Sequence, residues 1–176
     1  SFVEREAPAY DHAAVQKAKK ALEHAGSGDS HCACPSAASR SLSGSAAQNQ
    51  AGPEDVPSCL SQWPVQIKLA PIHSPYFANA DLLIAADCTA FSYGNFHHDF
   101  IRDHITLIGC PKLDSTDYSE KLTEILREND IRSITVTRME VPCCGGIQFA
   151  VERAVENSGK KIPCKVFTIG IDGNLL

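Results

Sequence analysis

The chain has 176 residues, with 16 basic and 21 acidic side chains and a formal net charge of −5 at pH 7. This length accommodates one full domain with an appendage, and the mild acidity without a long basic run argues against nucleic-acid partners. No apolar stretch approaches the roughly 20 residues of a membrane-spanning helix, so we expect no membrane partner and a cytoplasmic protein. Without a visible export signal, the eight cysteines favour metal or redox chemistry over a disulfide framework.

The N-terminal third has two parts of different character. Residues 11–25 have a helical apolar spacing, with Asp11 as the cap and Gly26 at the end. Residues 27–58 consist largely of Ser, Ala, Gly, Gln and Asn, which offer too little apolar surface to offset the entropy of ordering. We therefore expect a helical segment over 1–26, a flexible linker over 27–58 and an α/β domain over 59–176.

Five segments of the C-terminal domain have strand patterns. The first alternates apolar and polar residues, and the second and third are apolar runs, as in strands covered on both faces. The predicted strands are 65–69, 81–87, 105–109, 133–141 and 165–171.

Two helices lie between these predicted strands. The first covers 117–129, where Asp117 and Glu120 form a start like a capping box; the second begins at Gly145-Gly146 and ends at Gly159. Alternating strands and helices predict an open, mainly parallel, doubly wound sheet of the Rossmann or flavodoxin type, with helices on both faces and right-handed crossovers.

Four cysteines follow predicted strands. Cys88 ends the second apolar run, Cys110 ends the third, and the pair Cys143-Cys144 ends the fourth. The carboxyl ends of parallel strands lie along one edge, where open α/β folds place their binding sites. We therefore expect these thiols to line one crevice.

The cysteine pair has the features of a reactive site. Gly145-Gly146 follows it and opens a helix, whose N-terminal amides stabilise a thiolate, and the glycines permit close approach of a bulky ligand. Thiolates bind soft metals and iron–sulfur clusters. Packing of small cysteines in a strand-to-helix turn is the alternative, and it applies to Cys88 and Cys110 as well.

Other polar residues have weaker patterns. His97 and His98 lie on the loop after Cys88, where Asp99 could orient one ring toward the thiols; a surface histidine pair is the alternative. We expect Cys164 in the core, Cys59 exposed or packed, and Asp114 and Asp172 as solvated loop carboxylates. Cys32 lacks the spacing of a zinc knuckle.

Four segments occur in an order that resembles a known family. They are 62–66 (QWPVQ), 80–88 (ADLLIAADC), 109–114 (GCPKLD) and 139–146 (MEVPCCGG). The chain resembles ferredoxin-like iron–sulfur proteins of anaerobic bacteria and archaea, which join a domain binding two 4Fe–4S clusters to a C-terminal domain. Residues 1–6 match the tail of the ferredoxin domain, whose cluster cysteines are absent here. The chain, which opens on Ser1 without an initiator Met, therefore reads as a C-terminal fragment.

The resemblance implies a set of ligands at matching positions. These are Cys34, Cys88, His97, Cys110, Cys143 and Cys144. Ser36 stands where the family has Gly after Cys-Pro, which weakens the match at Cys34. If Cys34 is a ligand, the stretch from His31 to Cys34 should fold back toward the thiol edge.

From these observations we expect an iron–sulfur or metal-binding redox domain, and a role as an oxidoreductase component stays open. The expected cofactor is a 4Fe–4S cluster, with zinc or mononuclear iron as alternatives. The partner of this domain would be a redox protein or the chain's own N-terminal ferredoxin domain. Whether the chain forms a homodimer stays open. A thiol/disulfide or thiolate-dependent enzyme using Cys143-Cys144, or a structural zinc site, are the competing functions.

Overall fold

A computed structural model describes residues 39–42 and 56–176. These residues belong to one compact unit that spans Ser39–Leu176. The predicted helix at 11–25 and the predicted role of Cys34 lie outside the described residues. Most of the predicted linker, 27–58, also lies outside them.

The described residues contain a parallel four-stranded sheet. Its strands are β3 (Ala80–Ala86), β4 (Ile105–Gly109), β5 (Ile131–Met139) and β6 (Cys164–Ile169), in the spatial order β4-β3-β5-β6. A separate antiparallel pair joins β1 (Arg40–Ser41) to β2 (Gln62–Trp63). The parallel order confirms the predicted α/β class, and every strand of the main sheet overlaps a segment predicted from its apolar run.

Three α-helices accompany this sheet. They are α1 (Thr89–Ser92), α2 (Tyr118–Glu128) and α3 (Gly145–Ser158). Asp117 caps α2 as predicted, by accepting a hydrogen bond from the Ser119 N–H at 2.9 Å. Gly159 ends α3 in the left-handed conformation, with φ of 71°. None of the helices in the described part of the chain is long and apolar enough to cross a membrane.

Both faces of the sheet are covered. On one face, side chains of α2 and α3 pack on β3 and β5 around a small apolar cavity, which is lined by Leu82, Ile84, Leu122, Leu126, Ile134, Val151 and Ala154. On the other face, Thr89 of α1 contacts Thr137 of β5, and the Phe100 ring packs on Phe167 of β6. Phe100 belongs to a π-helical turn, His97–Ile101. Successive residues of a strand point to opposite faces of the sheet, so Ile134 and Thr137, three residues apart on β5, pack on different faces.

The strand predicted at 65–69 is wrong. Only Gln66 forms a bridge, to Ile108 of β4. The chain then turns, because the N–H groups of Leu69 and Ala70 both donate to the Gln66 carbonyl at 2.9 Å. Ile67 and Ala70 are the buried pair, three residues apart as on a helical turn. Over five residues, an alternating pattern does not distinguish these two arrangements.

Two short 3-10 turns complete the fold, Pro75–Phe77 and Pro142–Cys144. The last strand ends two residues earlier than predicted, at Ile169. There the chain reverses through Gly170–Gly173, and Leu175 pairs antiparallel with Ile169.

Candidate functional site

The strand register brings the cysteine-bearing loops to one edge. Ala86 of β3 is paired with Gly109 of β4, and Ala85 is paired with Thr137 of β5. Beyond this pairing the Asp87 N–H donates to the Gly109 carbonyl at 3.2 Å. Cys88, Cys110 and the Cys143-Cys144 pair therefore leave three adjacent strands at their carboxyl ends, as the sequence predicted.

The turn before α3 holds the cysteine pair in two environments. The Cys144 N–H donates to the Val141 carbonyl at 3.1 Å, which closes the Pro142–Cys144 turn. Cys144 is buried, whereas Cys143 and Cys88 are exposed. Cys88 and Cys143 are therefore accessible from solvent, whereas Cys144 is not.

The Cys144 thiol interacts with both of the other thiols. Burial raises its pKa, a hydrogen bond with the Met139 backbone opposes this, and the neighbouring Cys143 and Cys88 raise the pKa further. We expected the start of α3 to favour a thiolate; at Cys144 burial outweighs that effect. Because Cys143 and Cys88 both raise the pKa of Cys144, we treat these three cysteines as one electrostatic group, which we call the thiol site.

The turn that carries Cys110 is held between α2 and α3. The N–H groups of Leu113 and Asp114 donate to the Cys110 carbonyl at 3.2 and 2.9 Å. The Tyr118 hydroxyl donates to Asp114, and burial together with this carboxylate raises the Tyr118 pKa well above its usual value. Asp114 is thus a structural partner of α2, whereas the sequence suggested a solvated loop carboxylate.

The Cys110 turn also reaches the start of α3. A Cβ atom added to Gly146 would lie 3.0 Å from the Pro111 Cβ. Because Gly146 comes two residues after Cys144, this contact brings the backbone of the fourth cysteine close to the thiol site.

Asp87 is a residue of this edge that sequence reasoning missed. Its Oδ1 atom is buried and has no hydrogen-bond partner among the described residues. Burial raises the Asp87 pKa and the nearby Asp114 carboxylate raises it further. Its place directly before Cys88, at the end of an apolar strand, was the signal that could have identified it.

Arg138 is the second residue that was missed. Its Nη1 donates to Gln148 Oε1 at 3.1 Å and its Nε donates to the Met139 carbonyl at 3.3 Å. Nη1 also lies 3.8 Å from the position of a Cβ on Gly145, the residue after Cys144. A charged residue near the end of a buried strand was the available signal.

The histidine loop has a different set of contacts. His97 Nδ1 accepts a hydrogen bond from the Cys59 N–H at 3.1 Å. Asp99 contacts His98, at 2.7 Å, and also accepts from the Tyr93 hydroxyl at 2.6 Å. These contacts anchor the loop, and a role of His97 as a ligand stays a prediction.

The remaining described cysteines are Cys164 and Cys59. Cys164 is the first residue of β6, which places it at the amino edge of the sheet, and it is exposed rather than in the core because β6 is an edge strand. Cys59 is half-buried, with its sulfur 3.9 Å from the Pro57 carbonyl. Within residues 39–42 and 56–176, no three His, Cys, Asp or Glu side chains are arranged to hold one metal ion.

The parallel α/β fold agrees with what the chain is similar to. The chain belongs to the Rossmann-like domain family, whose model matches residues 74–176. A protein of Archaeoglobus fulgidus, described only as uncharacterized, is 33% identical over 115 residues, which cover 65% of this chain and 81% of that protein. No solved structure matches the chain significantly.

Proposed function

We propose that this domain binds an iron–sulfur cluster at the carboxyl edge of its sheet and works as a redox component. Cys88, Cys110, Cys143 and Cys144 would be the ligands. The observation that carries the proposal is that the loops carrying these cysteines leave three adjacent strands at one edge of the sheet. Cys88, from a different crossover, also raises the pKa of Cys144. The resemblance to ferredoxin-like iron–sulfur proteins points to the same residues.

The four thiols could bind a cluster or a single metal ion, and the two differ in the spacing that they need. A zinc or mononuclear iron site needs its thiolates at about 2.3 Å from one ion. In a cluster each thiolate binds a different iron, so the sulfur atoms lie farther apart. Cys110, on the turn held against α3, is then well placed to bind an iron of its own.

The donor set and its surroundings fit such a group. Four thiols are the usual ligand set of a 4Fe–4S cluster, which supplies one-electron transfer when bound. The exposed side chains of Phe91, in α1, and Leu113, in the turn after β4, are 94% and 82% accessible and follow Cys88 and Cys110 in the chain. Apolar side chains of this kind can limit water access and tune a redox potential. Electrons would come from a redox partner protein or from an N-terminal ferredoxin domain, and Cys34 and His97 are further ligands to test.

Anaerobic reconstitution with ferrous iron and sulfide tests this proposal. We expect about four iron and four sulfide per chain, with visible absorption that bleaches on reduction. Cys88→Ser and Cys143→Ser should lose most of the iron. Cys164→Ser is the matched control, since it removes an exposed thiol at the opposite edge of the sheet and should keep the cluster. A colourless protein, or equal loss in the Cys164 variant, would contradict the proposal.

A dithiol function is the second candidate, favoured by the position of Cys143 and Cys144 in one turn and by the exposure of Cys143 and Cys88. In this case the vicinal pair, or Cys143 with Cys88, would form a disulfide, losing two electrons and two protons to a disulfide oxidant such as oxidised glutathione. Peptide mapping after oxidation would locate the bond. Cys110→Ser separates the two functions, because it should impair cluster binding and leave this disulfide intact.

A further inference from the structure

Arg138 lies beside the thiol site through contacts with the same backbone. The Arg138 Nε donates to the Met139 carbonyl at 3.3 Å, and the backbone of Met139 also lowers the pKa of the Cys144 thiol. The position of Nη1 near Gly145 gives a second, independent measure of this closeness. Two hydrogen bonds, one to Met139 and one to Gln148, hold the guanidinium in this place.

The charge of Arg138 has no counter-ion within the described part of the chain. The ion pairs there are Lys68–Asp114, His98–Asp99, Arg132–Asp81 and Arg153–Asp117. The partners of Arg138 are instead a backbone carbonyl and the neutral amide of Gln148, whose own N–H donates to Glu152 at 2.8 Å. Arg138 is half-buried, so its charge is only partly hydrated.

A half-buried guanidinium is always charged and is stabilised by a nearby anion. The carboxylates of this edge are engaged away from Arg138 or face another element. Asp114 accepts from Tyr118, Asp87 lies toward Asp114, and Glu140 accepts from the Ile171 N–H at 2.8 Å. The thiol site is therefore the open neighbour at which an anion could complement Arg138.

We infer that Arg138 is a specificity-determining residue, which makes the thiol site select negatively charged ligands and reactants over neutral ones of similar size. The inference uses the thiol site of the proposed function and does not depend on a cluster. A negatively charged cluster and an anionic small molecule share the chemistry that Arg138 would recognise. Reconstitution, measured separately, distinguishes these two sources.

Alkylation by iodoacetate and by iodoacetamide measures this selectivity in the metal-free protein. Both reagents react by the same displacement, in which the thiolate sulfur forms a bond to carbon, iodide leaves and the thiol proton goes to solvent. Only iodoacetate is charged, so the ratio of the two rates at one cysteine reports the local field and cancels differences in thiolate content. Mass spectrometry resolves the exposed Cys88, Cys143 and Cys164 within one sample.

We expect the ratio of the iodoacetate rate to the iodoacetamide rate to be higher at Cys143 than at Cys164. In Arg138→Gln the ratio at Cys143 should fall at least about threefold, which is the effect of one unit charge about 7 Å away in water. The difference should largely disappear in about 1 M salt. Arg132→Gln is the matched control. Arg132 lies on β5 like Arg138, but at the amino end of that strand, where it pairs with Asp81. Its ratio at Cys143 should equal that of the unmodified protein.

Arg138→Lys keeps the charge and should retain most of the ratio, which separates charge from packing. An unchanged ratio in Arg138→Gln, or an equal fall in Arg132→Gln or Arg138→Lys, would overturn the inference. A protein that takes up no iron and sulfide but passes this test refutes the proposed cluster and keeps the role of Arg138. A protein that takes up iron and sulfide but whose ratio is unchanged in Arg138→Gln supports the proposed cluster and refutes the role of Arg138.

Discussion

Gly109→Ala should destabilise the domain through a defined clash. The new Cβ would lie 2.6 Å from the Tyr118 Oη and 2.7 Å from its Cζ. The Tyr118 ring cannot move away easily, because it is buried with 2% exposure and its hydroxyl is bonded to Asp114. Overpacking of this kind costs about 2–3 kcal/mol, and the lower chain entropy of Ala offsets up to about 1 kcal/mol. The expected net loss in the free energy of unfolding is about 2 kcal/mol.

Urea unfolding followed by circular dichroism measures this loss as a lower midpoint with an unchanged slope. The matched control is Gly94→Ala, since a Cβ on Gly94 would meet nothing within 4 Å. That variant should unfold within about 0.5 kcal/mol of the unmodified protein. If both variants have the same midpoint, the close packing of Tyr118 against the end of β4 is refuted, and with it our account of how the Cys110 turn is held.

Two further predictions concern local interactions of the described residues. Asp117→Ala should lower the free energy of unfolding by about 1 kcal/mol because the Ser119 N–H loses its cap, whereas Asp117→Asn keeps an acceptor and should lose less; equal losses in urea unfolding would contradict the cap. The hydrogen bond from Arg132 lowers the pKa of Asp81 from 3.8 to about 2. This exposed pair should therefore stabilise the fold by at most about 1 kcal/mol above about pH 4, and that stabilisation should be lost as pH falls through about 2. The difference in stability between Arg132→Gln and the unmodified protein should therefore close over this range in acid titrations, and a difference independent of pH would refute it.

The strands and helices of this domain were largely predictable because their signals are local. Residues 82–86 are all apolar and 105–109 are nearly so, as is typical of strands covered on both faces. Asp117 and Gly159 mark helix ends through chemistry confined to a few residues. The segment 65–69 failed because five residues are too few to separate a strand from a turn.

The sequence by itself determined that Cys88, Cys110 and the Cys143-Cys144 pair meet at one edge, because the carboxyl ends of parallel strands coincide whatever their order. Only the tertiary structure decided that Cys144 is buried, and that Arg138 bonds to the Met139 carbonyl and to Gln148 rather than to a carboxylate of the described residues. Burial and charge pairing depend on side chains that are distant in sequence and meet through the strand order and helix packing. No local pattern contains that information.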